Sequence, residues 1–543
     1  MTKLVKIEMR GALGKGLRLS CDNRLKKVNY QFMVGPFKDR SEKDNAWRCE
    51  FWGKVTRSAI LTNYWLKDAE LAAKIRDAVH GIMATQDASG CISSYPADLQ
   101  LGGWDVWGRK YVLLGLMRYY RLVEQDPAVL KCCCGMVDHL MTQVGPGKRD
   151  LRECGQHRGL APCSILVAIV ELYDLTKEPR YLEFAQWIAD NGCTLDGSIY
   201  EAANAGVAPA AIGNGTAYEM TSCFEGLADL YKIVPKPIYR DACIKYFNAV
   251  RKREIYITGI GGCKDRVGEF WYDGAMRQTL SGHGGFGETC VTATWLHYCL
   301  KMMEMMPEST LPLDEAERTL YNGMLGAMKP DGSDWCHLNP TPLTGGGVKL
   351  SAPDQIEKCA GSPFDNHDCC RAQGPEGLAN APSFAVSTDA SGAVKLNMFE
   401  AMHASFDNGA ELEVTGDYPY GAEARVRFIA PESAALKVRI PENCTGVTCG
   451  GKAMGFLPCA YLSFCGSVEL TLTFDVSLKE VTAPGDDSYV AVKRGVIVLA
   501  EDSRGDVPSA AVHETWRGRK LCDYVAAGSG FSESNTLAVW FKK

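Results

Sequence analysis

Between residues 59 and 328, apolar residues recur at three- and four-residue spacing in Ala59–Trp65, Leu71–Met83, Tyr111–Leu122, Val129–Met141, Ile165–Leu175, Tyr181–Ile188, Ala217–Tyr231, Ala242–Val250, Cys290–Met305 and Ala316–Met328. That spacing predicts ten amphipathic helices, and two more are expected near 20–33 and 371–382. Twelve helices in consecutive pairs satisfy an (α/α)6 toroid, with six inside, six outside and the loops gathered at one mouth. A weak repeat of about fifty-five residues supports the pairing: Tyr119-Tyr120-Arg121-Leu122, Glu171 to Thr176 and Asp229-Leu230-Tyr231 each close a helix just before a break. Gly- and Pro-rich loops at 86–104, 144–162, 191–215, 258–288 and 329–370 are long for a compact domain, so the mouth they build is where function is sought.

Beyond residue 386 the period becomes two, as in Val394–Met398, Leu436–Ile440, Val468–Phe474 and Tyr489–Leu499, with turn residues between. The expected fold class is therefore α+β multidomain: a helical catalytic toroid over 1–385 and a β-sandwich over 386–543 that braces it.

Composition narrows the function. The 543 residues include 23 cysteines, an odd number, and no apolar segment follows the short basic start Met1–Lys6. Many thiols without an export signal are expected in a reducing cytoplasm, free for metals or catalysis. A net charge of −6 and a pI near 5.9 argue against nucleic acid, and no uncharged apolar run reaches membrane-spanning length. A small oligosaccharide or glycoside is the expected partner, with a homodimer left open.

The chemistry concentrates in Glu288-Thr289-Cys290 and the adjacent pair Cys369-Cys370. One carboxylate and three thiols are donors that Zn²⁺ favours; the competing reading is that each cysteine is a small core residue. Glu269, beside Phe270 and Trp271, is a candidate proton donor, because burial raises a carboxyl pKa toward the range an acid needs. Trp104, Asp105, Trp107 and Arg109 open a helix after a Gly-rich loop and are candidate sugar contacts, as are His157, Tyr218 and Glu219 near other helix starts. His367 and Asp368 precede the cysteine pair and could orient ligands. Three signals are set aside. Residues 282–287 match G-x-G-x-x-G without a βαβ context, Cys132-Cys133-Cys134 would point in different directions on a helix, and the run Gly345–Gly347 is expected to be a loop with no phosphate-binding role.

YITGIGG at 256–262, the Gly268-Glu269 pair, GETCVTATW at 287–295 and HDCC at 367–370 come in the order found in the bacterial β-L-arabinofuranosidases, glycoside hydrolase family 127. The chain resembles that family over most of its length, from Trp47 through the β-rich tail. The resemblance implies Zn²⁺ held by Glu288, Cys290, Cys369 and Cys370, with Cys369 as nucleophile of a retaining mechanism and Glu269 as acid/base. The sequence looks like a divergent branch: near Ser164 and Thr216, where better-known members carry substrate-binding histidines, it has none. A sugar isomerase or epimerase on the same toroid and a non-catalytic carbohydrate-binding protein with structural zinc are the alternatives.

Overall fold

In a computed structural model, the described residues are 2–264, 268–280, 284–344, 368–529 and 536–543. Twelve helices carry the architecture: α1 (Ala12–Asn23), α2 (Phe51–Leu66), α3 (Ala69–Met83), α4 (Asp105–Leu122), α5 (Pro127–Gln143), α6 (Leu166–Thr176), α7 (Pro179–Asp190), α8 (Ala217–Ile233), α9 (Pro237–Arg253), α10 (Thr289–Met305), α11 (Leu311–Arg318) and α12 (Cys369–Ala379). The even-numbered helices contact one another in the cyclic order α2, α4, α6, α8, α10, α12 and back to α2. Each odd-numbered helix packs on an even-numbered one, α3 on α2 through α11 on α10, with α1 on α12.

Burial follows from that arrangement. Helix α2 is buried at every position from Phe51 to Thr62, as a helix covered on all sides must be, whereas α3 buries only Leu71, Ile75, Ala78, Val79 and Ile82 on one stripe. Asp68 and Asp126 cap α3 and α5 by accepting from Leu71 N and Ala128 N. The stretch His157–Thr176 is long and apolar enough to cross a bilayer, a length the sequence reading did not credit, and it is mostly buried within the helical body.

Two helix expectations need correction. The helix placed near 20–33 runs instead over Ala12–Asn23, and a separate helix, Tyr30–Asp39, follows. The stretch Ala316–Met328 starts at Leu311, widens to π-helix over Thr319–Met324 and ends at Ala327. Gly323 N donates to Thr258 O at 3.0 Å, and Thr319 Oγ1 donates to Gly259 O, so tertiary partners replace part of the helical ladder there.

The chain passes from helix to strand between Ala385 and Val386, and the strands form three main sheets where one sandwich was expected. A seven-stranded sheet includes the N-terminal strand Leu4–Met9, paired antiparallel with Met402–Phe406. Its strand Glu423–Ile429 alternates buried Ala424, Val426 and Phe428 with exposed Glu423, Arg425 and Arg427. A four-stranded sheet runs from Ala460–Cys465 to Val386–Thr388. The last sheet, Leu478 onward, packs Val498, Tyr524 and Trp540 against Phe286 and Leu338 of a two-stranded ribbon, Gly285–Glu288 with Leu338–Thr341. Tyr524 Oη is 2.6 Å from Asn339 Oδ1 and 2.7 Å from Pro340 O, which ties that sheet to the ribbon carrying Glu288.

Candidate active site

Glu288 ends the ribbon and is the residue before α10, so Cys290 falls in that helix's first turn. Thr289 N donates to His337 O at 3.1 Å and Thr289 Oγ1 to Cys336 O at 2.7 Å, fixing the approach. Cys369 and Cys370 open α12, whose cap is Asp368, accepting from Arg371 N at 2.9 Å. Because α10 and α12 are neighbours in the ring, their two N-termini meet, and the positive ends of both dipoles favour thiolate and carboxylate there.

The donor atoms of Glu288, Cys290, Cys369 and Cys370 all lie within 4.8 Å of one another. Cys369 Sγ is 3.8 Å from Cys370 Sγ, and Glu288 Oε1 is 3.9 and 3.7 Å from those two sulfurs. Thiolates about 2.3 Å from a tetrahedral ion stand about 3.8 Å apart. The four side chains therefore have the chemistry and spacing of a metal cage.

Burial pushes the Glu288 carboxyl up to about 8, although the His337 charge opposes it. Burial also works against the charge on His337, yet its 2.9 Å hydrogen bond to Asp368 carries it up to about 10. Cys290 is held below its ordinary thiol value: burial opposes this, but Cys369 and Cys370 donate to it, and their own thiols are pushed up. The hydrogen bonds among the thiols thus favour the thiolate at Cys290 over the other two, and a cation would favour it further.

Cys369 and Glu288 line a cavity of about 260 Å³ together with His337, Asp368, Glu219 and Glu269; Trp47, Glu50, Lys54, Trp104, Trp107, Tyr218 and Gly268 complete it. Hollows of about 920 and 730 Å³ lie elsewhere and bring together no thiol with a carboxylate. Burial drives Glu269 well above the carboxylate range, and the neighbouring charges of Glu219, Glu288 and Cys369 add to that. Lys54 resists the opposite pull of burial because Glu50 Oε1 is 3.0 Å away. The five acids Glu50, Glu219, Glu269, Glu288 and Asp368 outnumber Lys54 and His337, so the cavity is acid-rich.

Of the sequence-derived sugar contacts, Trp104, Trp107, Tyr218 and Glu219 line this cavity. His157 stands just behind, with Nε2 3.8 Å from Glu219 Oε1 and Nδ1 2.9 Å from Thr216 Oγ1. Asp105 and Arg109 do not reach it. They pair with each other at 2.8 Å, Asp105 accepts from Leu101 N and Ser93 Oγ, and Arg109 donates to Gln100, so both serve the loop before α4. His367 lies outside the described residues. The sequence reading missed Trp47, Glu50, Lys54 and His337; the one available signal was the four-residue spacing of Glu50 and Lys54 beside an otherwise buried helix.

Residues 17–383 match the β-L-arabinofuranosidase GH127 catalytic domain. A non-reducing end β-L-arabinofuranosidase from Bifidobacterium longum subsp. longum is 23% identical over 526 residues, covering 84% of this chain and 78% of the relative. Among solved structures, a GH127 β-L-arabinofuranosidase from Geobacillus stearothermophilus T6 superposes with a TM-score of 0.78 at 17% identity, covering 99% of this chain and all of that one. A second GH127 β-arabinofuranosidase gives 0.77 at 17% identity, covering 100% and 96%. At such identities the superpositions speak for the fold, while the match to the catalytic domain spans well over half of the sequence: the chain belongs to glycoside hydrolase family 127.

Proposed function

We propose that the protein is a retaining glycosidase that removes a terminal furanose, β-L-arabinofuranose or a close relative, from a small glycoside. The observation that carries this reading is the placement of Cys369 and Glu269 on one small cavity, with Cys369 also part of the four-donor cage. The cyclic contacts of the even-numbered helices support an (α/α)6 toroid whose mouth holds the site. Glu288, Cys290, Cys369 and Cys370 would hold Zn²⁺, which when bound keeps thiols deprotonated near neutral pH.

The side chains then divide the work. Trp104, partly exposed on the cavity wall, offers its indole to the sugar ring, while Trp107, buried with Lys110 Nζ 3.4 Å from its ring centroid, backs it. Glu269, its carboxyl pushed up by burial and by the neighbouring Glu219, donates its proton to the leaving oxygen as Cys369 Sγ attacks the anomeric carbon. The C–O bond breaks, a C–S bond forms, and the aglycone departs as an alcohol. Glu269, now a carboxylate, takes a proton from water that attacks the same carbon from the opposite side, and the Cys369 sulfur leaves. Two inversions give retention. We place the protein in a cytoplasmic setting, where its 23 cysteines would stay reduced. A purely structural metal site would be closed, whereas here two of the four donors, Cys369 and Glu288, line the cavity.

Glu269→Gln should lose about 10²–10⁴-fold in kcat/KM on an alkyl furanoside and far less in kcat/KM on a nitrophenyl furanoside, whose leaving group needs no proton, although kcat on the latter also falls because the intermediate has lost its base. Azide should restore turnover of the latter. Equal losses on both substrates with no azide rescue would remove Glu269 from the acid/base role.

A further inference from the structure

Glu219 is fully buried, lines the cavity, and neither of its carboxylate oxygens has a hydrogen-bond partner among the described residues. His157 Nε2, at 3.8 Å, is beyond hydrogen-bond reach. Its position is fixed by rigid surroundings: it sits in the first turn of α8 beside Tyr218, whose hydroxyl is engaged by Tyr111 and Gln373, while His157 is held by Thr216 and Asn214. A buried carboxylate without a hydrogen bond is costly, and its ionisable neighbours His157 and Glu269, with ligand atoms within 4.8 Å, do not hydrogen-bond it, which leaves the cavity as the side from which a partner can reach it. Asp105 and Glu376, by contrast, are buried acids with partners of their own.

We propose that Glu219 is the specificity-determining residue of the sugar cavity, its two oxygens accepting hydrogen bonds from the vicinal O2 and O3 hydroxyls of a neutral furanoside. This rests on the glycosidase reading for the identity of the ligand. In a furanoside linked through C1, O2 and O3 are the only adjacent pair of free hydroxyls, and the two oxygens of one carboxylate can accept one hydrogen bond from each. The cavity, about 260 Å³, is of a size to take one pentose residue. Its five acids outnumber Lys54 and His337, which are already paired with Glu50 and Asp368, so uronates and sugar phosphates would be poor ligands beside Glu219.

The test is the affinity of the full-length, metal-loaded protein for methyl 1-thio-β-L-arabinofuranoside and its 2-deoxy and 3-deoxy analogues, measured by calorimetry. The S-linkage slows cleavage, so binding is read apart from turnover. Wild type should lose about ten- to a hundredfold for each hydroxyl removed, since each hydrogen bond to a charged group is worth that much. Glu219→Ala should bind the parent sugar at least as weakly as wild type binds a deoxy analogue, and should discriminate among the three ligands by less than threefold. Glu219→Gln, which keeps volume and one acceptor, should fall between. Both variants should melt no lower than wild type, because no protein hydrogen bond is lost, and both should keep wild-type metal content. Full discrimination retained in Glu219→Ala, failure of wild type to bind the parent sugar, or melting several degrees lower in both variants overturns the proposal. If the binding pattern holds while wild type cleaves no furanoside, the glycosidase reading fails and the assignment of Glu219 stands.

Discussion

Cys369, Gln373 and Glu376 follow one another at spacings of four and three, so a single face of α12 carries the sulfur at one end and a buried carboxylate at the other. Glu376 meets Arg57 of α2 at 3.0 Å, Arg118 of α4 and His297 of α10 at 3.5 Å, while Gln373 Nε2 donates to Thr294 Oγ1 at 3.3 Å. These contacts fix α12, and hence Cys369, by residues that never touch substrate. Burial alone would raise Glu376, but Arg57 and Arg118 outweigh it and hold it down to about 2. Its folded value is below its unfolded one of about 4.3, so its contribution is complete above that pH and fades as pH falls toward 2. His297 is buried neutral, depressed to about 3; the unfolded chain takes up that proton near pH 6.5, which also lowers stability as the solution becomes acid. Denaturant titrations should therefore show stability falling from pH 7 to pH 3. Glu376→Gln should cost about 3–5 kcal/mol at pH 7, since it leaves buried guanidinium charge uncompensated, and should flatten the part of the slope below pH 4.5. A loss under 1 kcal/mol would deny the cluster its structural role.

At the scale of elements, close approach of helices sets the mouth. A Cβ on Gly53 of α2 would lie 2.2 Å from Tyr111 O and 2.4 Å from Tyr111 C in α4, so glycine is required where these two helices touch. Glu50 and Lys54 flank that contact and both line the cavity. Gly53→Ala should destabilise by about 1–3 kcal/mol and, by spreading α2 from α4, cost up to about a hundredfold in kcat/KM for an ångström of displacement. Unchanged melting and kinetics would show that the interface yields more easily than its backbone contacts indicate. The same contact explains what was hard to read in the sequence. Helices covered on all sides lose the apolar stripe, so α2 and α4 begin well before the periodic stretches Ala59–Trp65 and Tyr111–Leu122. Asp105 and Arg109 have the residue types of a binding site, but they neutralise each other four residues apart. Glu50 and Lys54 pair the same way and yet reach the cavity, a difference that ring closure decides and local sequence does not. The cage was legible because Glu288-Thr289-Cys290 and Cys369-Cys370 each place donors at a helix start, where local geometry suffices. His337, in a stretch with no period, carried no such mark.

For the whole molecule, the helical ring and the β-rich parts are one mechanical unit around the site. The strand Leu4–Met9 joins the sheet at Met402–Phe406, and Glu400 accepts from Leu13 N and Gly14 N at 3.1 Å each, tying the start of α1 to the β-rich half. Arg439 pairs with Asp314 at 2.6 Å and Glu317 at 2.8 Å of α11, and the last sheet braces the ribbon that presents Glu288. The strands of the tail were readable from their alternation, but not their division into three sheets, which depends on which strands pair, including the N-terminal Leu4–Met9 with Met402–Phe406. This frame delivers Glu288, Cys290, Cys369 and Cys370 to one point and leaves Cys369 facing the sugar cavity. The most direct test is peptide mass spectrometry of the metal-loaded protein quenched in acid during turnover of an aryl β-L-arabinofuranoside. The account predicts one anhydropentose unit attached to the sulfur of Cys369. An adduct on Glu269 or another carboxylate, or continued turnover by Cys369→Ser at the wild-type rate, would contradict it.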